Sequence, residues 1–155
     1  MTGRLVGLIS DTHGLLRPEA VRALRGSDLI VHAGDIGKAA VLDALGALAP
    51  VTAVRGNADK GVWARGLPKT DALEIDQVGV YVIHDVKEID LIPEAAGIKV
   101  IVSGHSHQPS IQERNGVIFV NPGSAGPRRF NLPVSIARMQ VQERSVRVEL
   151  IRLAV

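Results

Sequence analysis

Five short apolar runs in this chain each stop at a cluster of Asp, His or Asn, and this recurrent ending constrains the fold more than any other feature. Residues 5–9 lead into Ser10-Asp11-Thr12-His13, and residues 29–32 into Ala33-Gly34-Asp35. Residues 51–54 lead into Arg55-Gly56-Asn57-Ala58-Asp59. Residues 80–83 lead into His84-Asp85, and residues 100–103 into Gly104-His105-Ser106-His107. Short Val, Ile and Leu runs bounded by Gly and polar residues read as buried strands. Between the first three, residues 18–24 and 38–48 read as helices. Pro18 opens the first of them, where a missing N–H costs nothing. The second carries Val41, Leu42, Leu45 and Leu48 at helical spacing and then meets Pro50. Strand–helix–strand–helix–strand is the pattern of a parallel sheet with crossover helices. Ligands bind outside the carboxyl ends of such strands, so the five polar endings predict one convergent site.

The rest of the chain turns toward antiparallel strands. Residues 72–75 and 78–83 read as a hairpin, and Asn115-Gly116 is a strong turn signal between strands at 110–114 and 117–120. Residues 134–141 and 145–153 read as a terminal strand pair. A short helix is predicted at 89–96, with Pro93 near its first turn. The irregular stretch 56–69 carries Lys60, Arg65 and the single tryptophan, Trp63, which reads as a substrate lid, a core anchor or an oligomer contact. Together these elements predict a mixed α/β domain of two packed sheets with helices outside. The 155 residues fit one domain, 1–155. Aromatic residues are 3% of the chain, so the core must be aliphatic. No apolar stretch reaches the roughly 18 residues of a membrane span, and the first residues lack a signal-peptide pattern. The expected location is cytoplasmic. A formal charge of +2 is too small to argue for nucleic acid. Six of the thirteen arginines fall between Arg128 and Arg152, and they read as a solvated strand face.

The chain has five histidines and no cysteine, which removes thiolate metal sites, iron–sulfur clusters and thiol catalysis. What remains at the strand ends is a set of oxygen and nitrogen donors: Asp11, His13, Asp35, Asn57, His84, His105 and His107. Such donors suit Mn²⁺, Fe²⁺, Zn²⁺, Ni²⁺ or Co²⁺ and are too nitrogen-rich for Ca²⁺ or Mg²⁺ alone. Seven ligands are too many for one ion but fit two, if one carboxylate bridges. Asp11 and His13 are two apart, as are His105 and His107, and residues two apart in an extended segment project to one side. Gly34, Gly56 and Gly104 precede ligand candidates and allow sharp turns or close approach. His32 lies outside the ligand set and reads as a packed residue, or as one whose hydrogen bond orients a ligand. Asp35 also reads as a helix N-cap, and Asn57 as a turn residue.

Asp11-x-His13, Gly34-Asp35, Gly56-Asn57, His84 and Gly104-His105-x-His107 resemble the calcineurin-like metallophosphoesterases, in particular their small single-domain phosphodiesterase branch. Ser10-Asp11-Thr12-His13-Gly14, His32-Ala33-Gly34-Asp35 and Asn121-Pro122-Gly123-Ser124 extend the likeness from Leu5 to about Arg128. The resemblance implies a four-layer α/β/β/α sandwich of two packed mixed sheets around a binuclear centre. It implies that Asp11, His13, Asp35 and His107 hold the first ion, and that Asp35, Asn57, His84 and His105 hold the second. Asp35 is the implied bridge; Asp35, Asn57 and His84 are the implied catalytic residues. The implied chemistry is phosphodiester hydrolysis, usually supported by Mn²⁺, through in-line attack of a metal-bridging hydroxide on a small substrate. Ser124 and Arg128 would lie beside the site and touch a phosphate, and a homo-oligomer is expected. Two departures stand out. Many members carry His after the motif's Asn, where this chain has Ala58, so a general acid is missing. Asp59 thereby loses its usual partner and serves either the ions' water or the loop. Asp85 follows His84 where the family usually has Gly, which puts an extra carboxylate at one edge of the site. A second reading is a non-catalytic metal-binding scaffold or interaction protein of the same fold.

Overall fold

Strand β1 (Arg4–Ile9) serves two interfaces at once. Val6 and Leu8 enter a central cluster, whereas Ile9 enters an outer one, because successive side chains of a strand point to opposite faces. Strand β2 (Leu29–His32) repeats the division, with Val31 in the central cluster and Ile30 in the outer one. The computed structural model describes residues 3–155. Residues 1 and 2 of the predicted domain lie outside the described residues.

The first sheet adds β3 (Val51–Ala53), β9 (Ser135–Gln142) and β10 (Ser145–Arg152), in the order β10-β9-β1-β2-β3. Strands β1, β2 and β3 are parallel, and β9 and β10 add an antiparallel edge. The second sheet comprises β4 (Thr70–Ile75), β5 (Val78–Ile83), β6 (Ile98–Val102), β7 (Ser110–Arg114) and β8 (Val117–Asn121). Its order is β4-β5-β6-β8-β7, with β5, β6 and β8 parallel and both edges antiparallel. The sheets meet through Val6, Leu8 and Val31 on one side and Val80, Val82, Val100 and Val102 on the other. Each such side chain contributes about 1.5–3 kcal/mol when fully buried, and the core is aliphatic as the composition requires.

Helices α1 (Pro18–Leu24) and α2 (Ala39–Gly46) cover the outer face of the first sheet through Ala20, Leu24, Val41 and Leu45. Trp63 packs against this same layer, so it is an anchor and not a lid. The outer face of the second sheet is covered differently. The helix predicted at 89–96 does not form. Asp85 caps a 3-10 turn, Val86–Glu88, by accepting the Lys87 N–H, and Ile89 then turns extended. A residue before proline is held out of the helical region, so Ile92 cannot carry a helix into Pro93. Only turns follow, at 93–97. This segment still buries apolar surface, since Val86, Ile89 and Leu91 pack on Tyr81, Ile83 and Ile101. Among the described residues no helix is long and apolar enough to cross a membrane.

Candidate metal centre

The polar endings of β1, β2, β5 and β6 converge where the two sheets meet. Asp11 Oδ1 lies 3.3 Å from His107 Nε2, 3.7 Å from His13 Nε2 and 4.0 Å from His84 Nε2. Asp35 Oδ2 lies 3.2 Å from His84 Nε2 and 3.7 Å from His13 Nε2. Two donor groups result, Asp11 with His13 and His107, and Asp11 with Asp35 and His84. Asp11 belongs to both groups, and Asp35 reaches the first through His13.

Local hydrogen bonds leave one face of Asp11, Asp35 and His84 free. Asp11 Oδ2 accepts the Ser10 hydroxyl at 2.7 Å and the His105 N–H at 3.1 Å, which frees Oδ1. Asp35 Oδ1 accepts the Ala58 N–H at 2.8 Å, which frees Oδ2. His84 Nδ1 lies 2.8 Å from the Ala33 carbonyl. A carbonyl can only accept, so Nδ1 carries the proton and Nε2 is the free, ligating nitrogen. The loops are pressed together at two glycines. A Cβ on Gly56 would strike the backbone and carboxylate of Asp35, and one on Gly104 would strike Ser10 and Asp11. Five ligand candidates also hold left-handed backbone: Asp11 (φ 55°), His13 (47°), Asp35 (55°), His105 (73°) and His107 (63°). Each costs of the order of 1 kcal/mol or more for a residue with a Cβ.

The electrostatics follow from this crowding. Burial works against the charge on Asp11, but His107, Ser10 and the neighbouring imidazoles hold its carboxyl below the usual range. Burial also opposes the charge on Asp35, and pairing with His84 and the Ala58 N–H lowers it to about 2. Burial pushes His84 down, yet Asp35 and Asp11 prevail and raise it. Asp11 Oδ1, His84 Nε2 and His107 Nδ1 are buried with no hydrogen-bond partner, and among the described residues no other buried side-chain atoms are left so. Buried polar atoms without partners are rare and call for a specific cause. Divalent ions held by these nitrogen and oxygen donors supply one, so the residues fit the metals that the sequence predicts.

The remaining predicted residues are placed unevenly. His107 is buried against Asp11, whereas His105 is half-exposed, stands edge-on to His84 and points Nε2 toward Asp85 Oδ2 at 3.8 Å. The two histidines thus turn to different sides. The two-residue spacing does not act through strand alternation, because the ligands sit on left-handed loops beyond the strands. Asn57 is exposed and lines an adjacent cleft of about 600 Å³, together with His84 and His105. Ser124 is buried and its hydroxyl donates to the Asp11 carbonyl at 3.0 Å, so it braces the ligand loop. Arg128 is exposed and does not line the cleft. Asp59 is buried, and its two oxygens accept the N–H groups of Gly37 and Gly56, each at 2.9 Å, so it caps the loop.

His32 is fully buried between two ligand loops. The Thr12 hydroxyl donates to the Ile36 carbonyl, so His32 Nε2–H must donate to Thr12 at 3.0 Å. His32 Nδ1 accepts the Gly34 N–H at 3.1 Å. Burial lowers its pKa to about 4 and keeps it neutral. The sequence reading missed Lys69, Tyr81, Glu88 and Asp90, which also line the cleft. No local motif marks them, since the pairing of Thr70 with Ile83 is what brings their segments together.

Two packed mixed sheets with a carboxylate–imidazole cluster at their strand ends define an α/β sandwich built to hold metal. Residues 5–144 match the model of the calcineurin-like phosphoesterase superfamily domain, and the chain belongs to that family. A probable metallophosphoesterase of Methanothermobacter thermautotrophicus is 36% identical over 160 residues, covering 96% of this chain and 92% of that protein. Among solved structures, one characterised as a novel archaeal phosphodiesterase aligns with a TM-score of 0.77 at 20% identity, covering 95% of this chain and 99% of that one. Vps29 of Entamoeba histolytica, complexed with zinc, aligns with a TM-score of 0.73 at 22% identity, covering 96% of this chain and 98% of that one. At these identities the two structures bear on the fold.

Proposed function

We propose that this chain is a metal-dependent phosphodiesterase with a binuclear centre. The observation that carries the reading is the set of three buried, unpartnered atoms, all on predicted ligands and all at one junction. One ion would be held by Asp11, His13, Asp35 and His107, and the other by Asp35, Asn57, His84 and His105. Bound there, two divalent ions supply Lewis acidity to phosphoryl oxygens and hydroxide at neutral pH for in-line attack. Mn²⁺ is the first ion to test, with Fe²⁺, Zn²⁺, Ni²⁺ and Co²⁺ as alternatives. The chain's own part is to fix the donors. Ser10 and the His105 N–H orient Asp11, the Ala58 N–H orients Asp35, and the Ala33 carbonyl sets the tautomer of His84. Ala58 offers no proton to a departing alkoxide, so diesters with acidic leaving groups are the favoured substrates.

The test combines metal content by mass spectrometry with hydrolysis of bis(4-nitrophenyl) phosphate in added Mn²⁺. Wild type should bind two ions and turn over. Asp35→Asn should lose metal and activity together, and full activity in that variant would remove Asp35 as the bridge. Two bound ions with no hydrolysis would favour the scaffold reading, to which the absent imidazole at Ala58 already points. No bound metal and no hydrolysis would defeat the proposal.

A further inference from the structure

The cleft beside His84 and His105 is polarised. Its cations, Arg55, Lys60 and Lys69, all come from the segment between β3 and the start of β4. Its anions other than Asp59, namely Asp85, Glu88 and Asp90, all come from the segment after β5. The oxygens of Asp59 are engaged by backbone N–H groups. Among the described residues, no ion pair joins Lys60 or Lys69 to Glu88 or Asp90. Opposite charges on one cleft thus stay unpaired. A second observation points the same way. Tyr81 lines this cleft and is only 8% exposed, and among the described residues no protein group partners its hydroxyl. Its oxygen is not among the enclosed atoms left without a partner, so it opens onto the cleft and is free to accept from a group bound there.

We propose that this cleft is a subsite for one alcohol arm of a phosphodiester, and that the arm carries an ammonium group. The inference rests on the phosphodiesterase reading and extends it to a substrate class. The cationic side attracts the single negative charge of the diester. The side formed by Asp85, Glu88 and Asp90 repels an arm with a further phosphate, and an apolar arm would displace water from the exposed Glu88 and Asp90 without replacing it. An ammonium meets them with charge and three N–H donors, and the Tyr81 oxygen can accept from the same group.

The experiment compares 4-nitrophenyl 2-aminoethyl phosphate with its neutral isostere, 4-nitrophenyl propyl phosphate, using bis(4-nitrophenyl) phosphate as a third substrate. Each exposed charge pair is weak, so kcat/KM should favour the aminoethyl diester about fivefold at low salt. Salt at 0.5 M should shrink that ratio. The double substitution Glu88→Gln with Asp90→Asn should bring it toward one, whereas Glu113→Gln, on β7, should leave it as in wild type. A wild-type ratio near one, or a ratio that survives the double substitution, overturns the subsite while leaving the phosphodiesterase reading intact. If none of the three diesters is hydrolysed, that reading fails. Calorimetric binding of the same two unhydrolysed diesters to wild type and to the double variant then decides the subsite by the same ratios.

Discussion

Substitution of Asp59 separates the loop from the metal site. Its Oδ2 accepts the N–H of Gly56, which is buried, and its Oδ1 accepts that of Gly37, which is exposed. In Asp59→Ala water can replace the second bond but not the first. A hydrogen bond to a charged group contributes about 1.5–3 kcal/mol, and a neutral, re-solvated one about 1. The expected loss is therefore about 3 kcal/mol. In a chain of this length that lowers Tm by about 6–12 °C. The measurement is thermal and urea unfolding of protein stripped of metal by a chelator. Asp59→Asn keeps one acceptor and should lose about half as much. Because Gly56 lies against Asp35, the loosened loop should also weaken metal binding, as a secondary effect. The reasoning is refuted if Asp59→Ala unfolds within about 2 °C of wild type after chelation and binds one ion fewer when metal is added back. The carboxylate would then serve the ions and not the loop.

Two further outcomes are expected. In metal-free protein, stability should fall by about 3 kcal/mol between pH 6.5 and pH 4. The unfolded chain protonates His32 near pH 6.5 and the folded one only near pH 4, so across that window the unfolded state binds the extra proton. Urea unfolding at a series of pH values reads the slope, and His32→Gln should flatten it. Ala58→His restores an imidazole at an exposed position beside Asn57. It should leave metal content unchanged and raise hydrolysis of alkyl diesters by up to roughly 10²-fold relative to aryl ones; equal effects on both would place the slow step elsewhere.

The parallel core was legible in the sequence because its strands are buried on both faces and read as unbroken apolar runs. The ligand clusters were legible because each follows such a run directly. The helix expected at 89–96 was misread because its apolar residues do pack inward, but Pro93 forbids the conformation that would make them helical. The paired spacings in Asp11-x-His13 and His105-x-His107 suggested strand geometry, whereas the residues lie on left-handed turns, a property of backbone torsion that residue order does not display. For Ser124 the direction of the side chain is likewise hidden in residue order. Its hydroxyl is turned to the Asp11 carbonyl, and only the tertiary contact decides which way it faces. Asp59 carried two readings in the sequence, and the buried N–H groups around it select between them.

The five left-handed ligands also bear on how such a site ages. At 11, 13, 35, 105 and 107 the backbone adopts torsions that glycine holds at less cost. A descendant of this chain released from metal binding would be free to relax toward glycine or asparagine at His13, His105 and His107, whereas Asp11 and Asp35 would stay tied to the N–H groups of His105 and Ala58. Histidine at those three positions thus opposes the backbone's own preference, a cost that metal binding would offset.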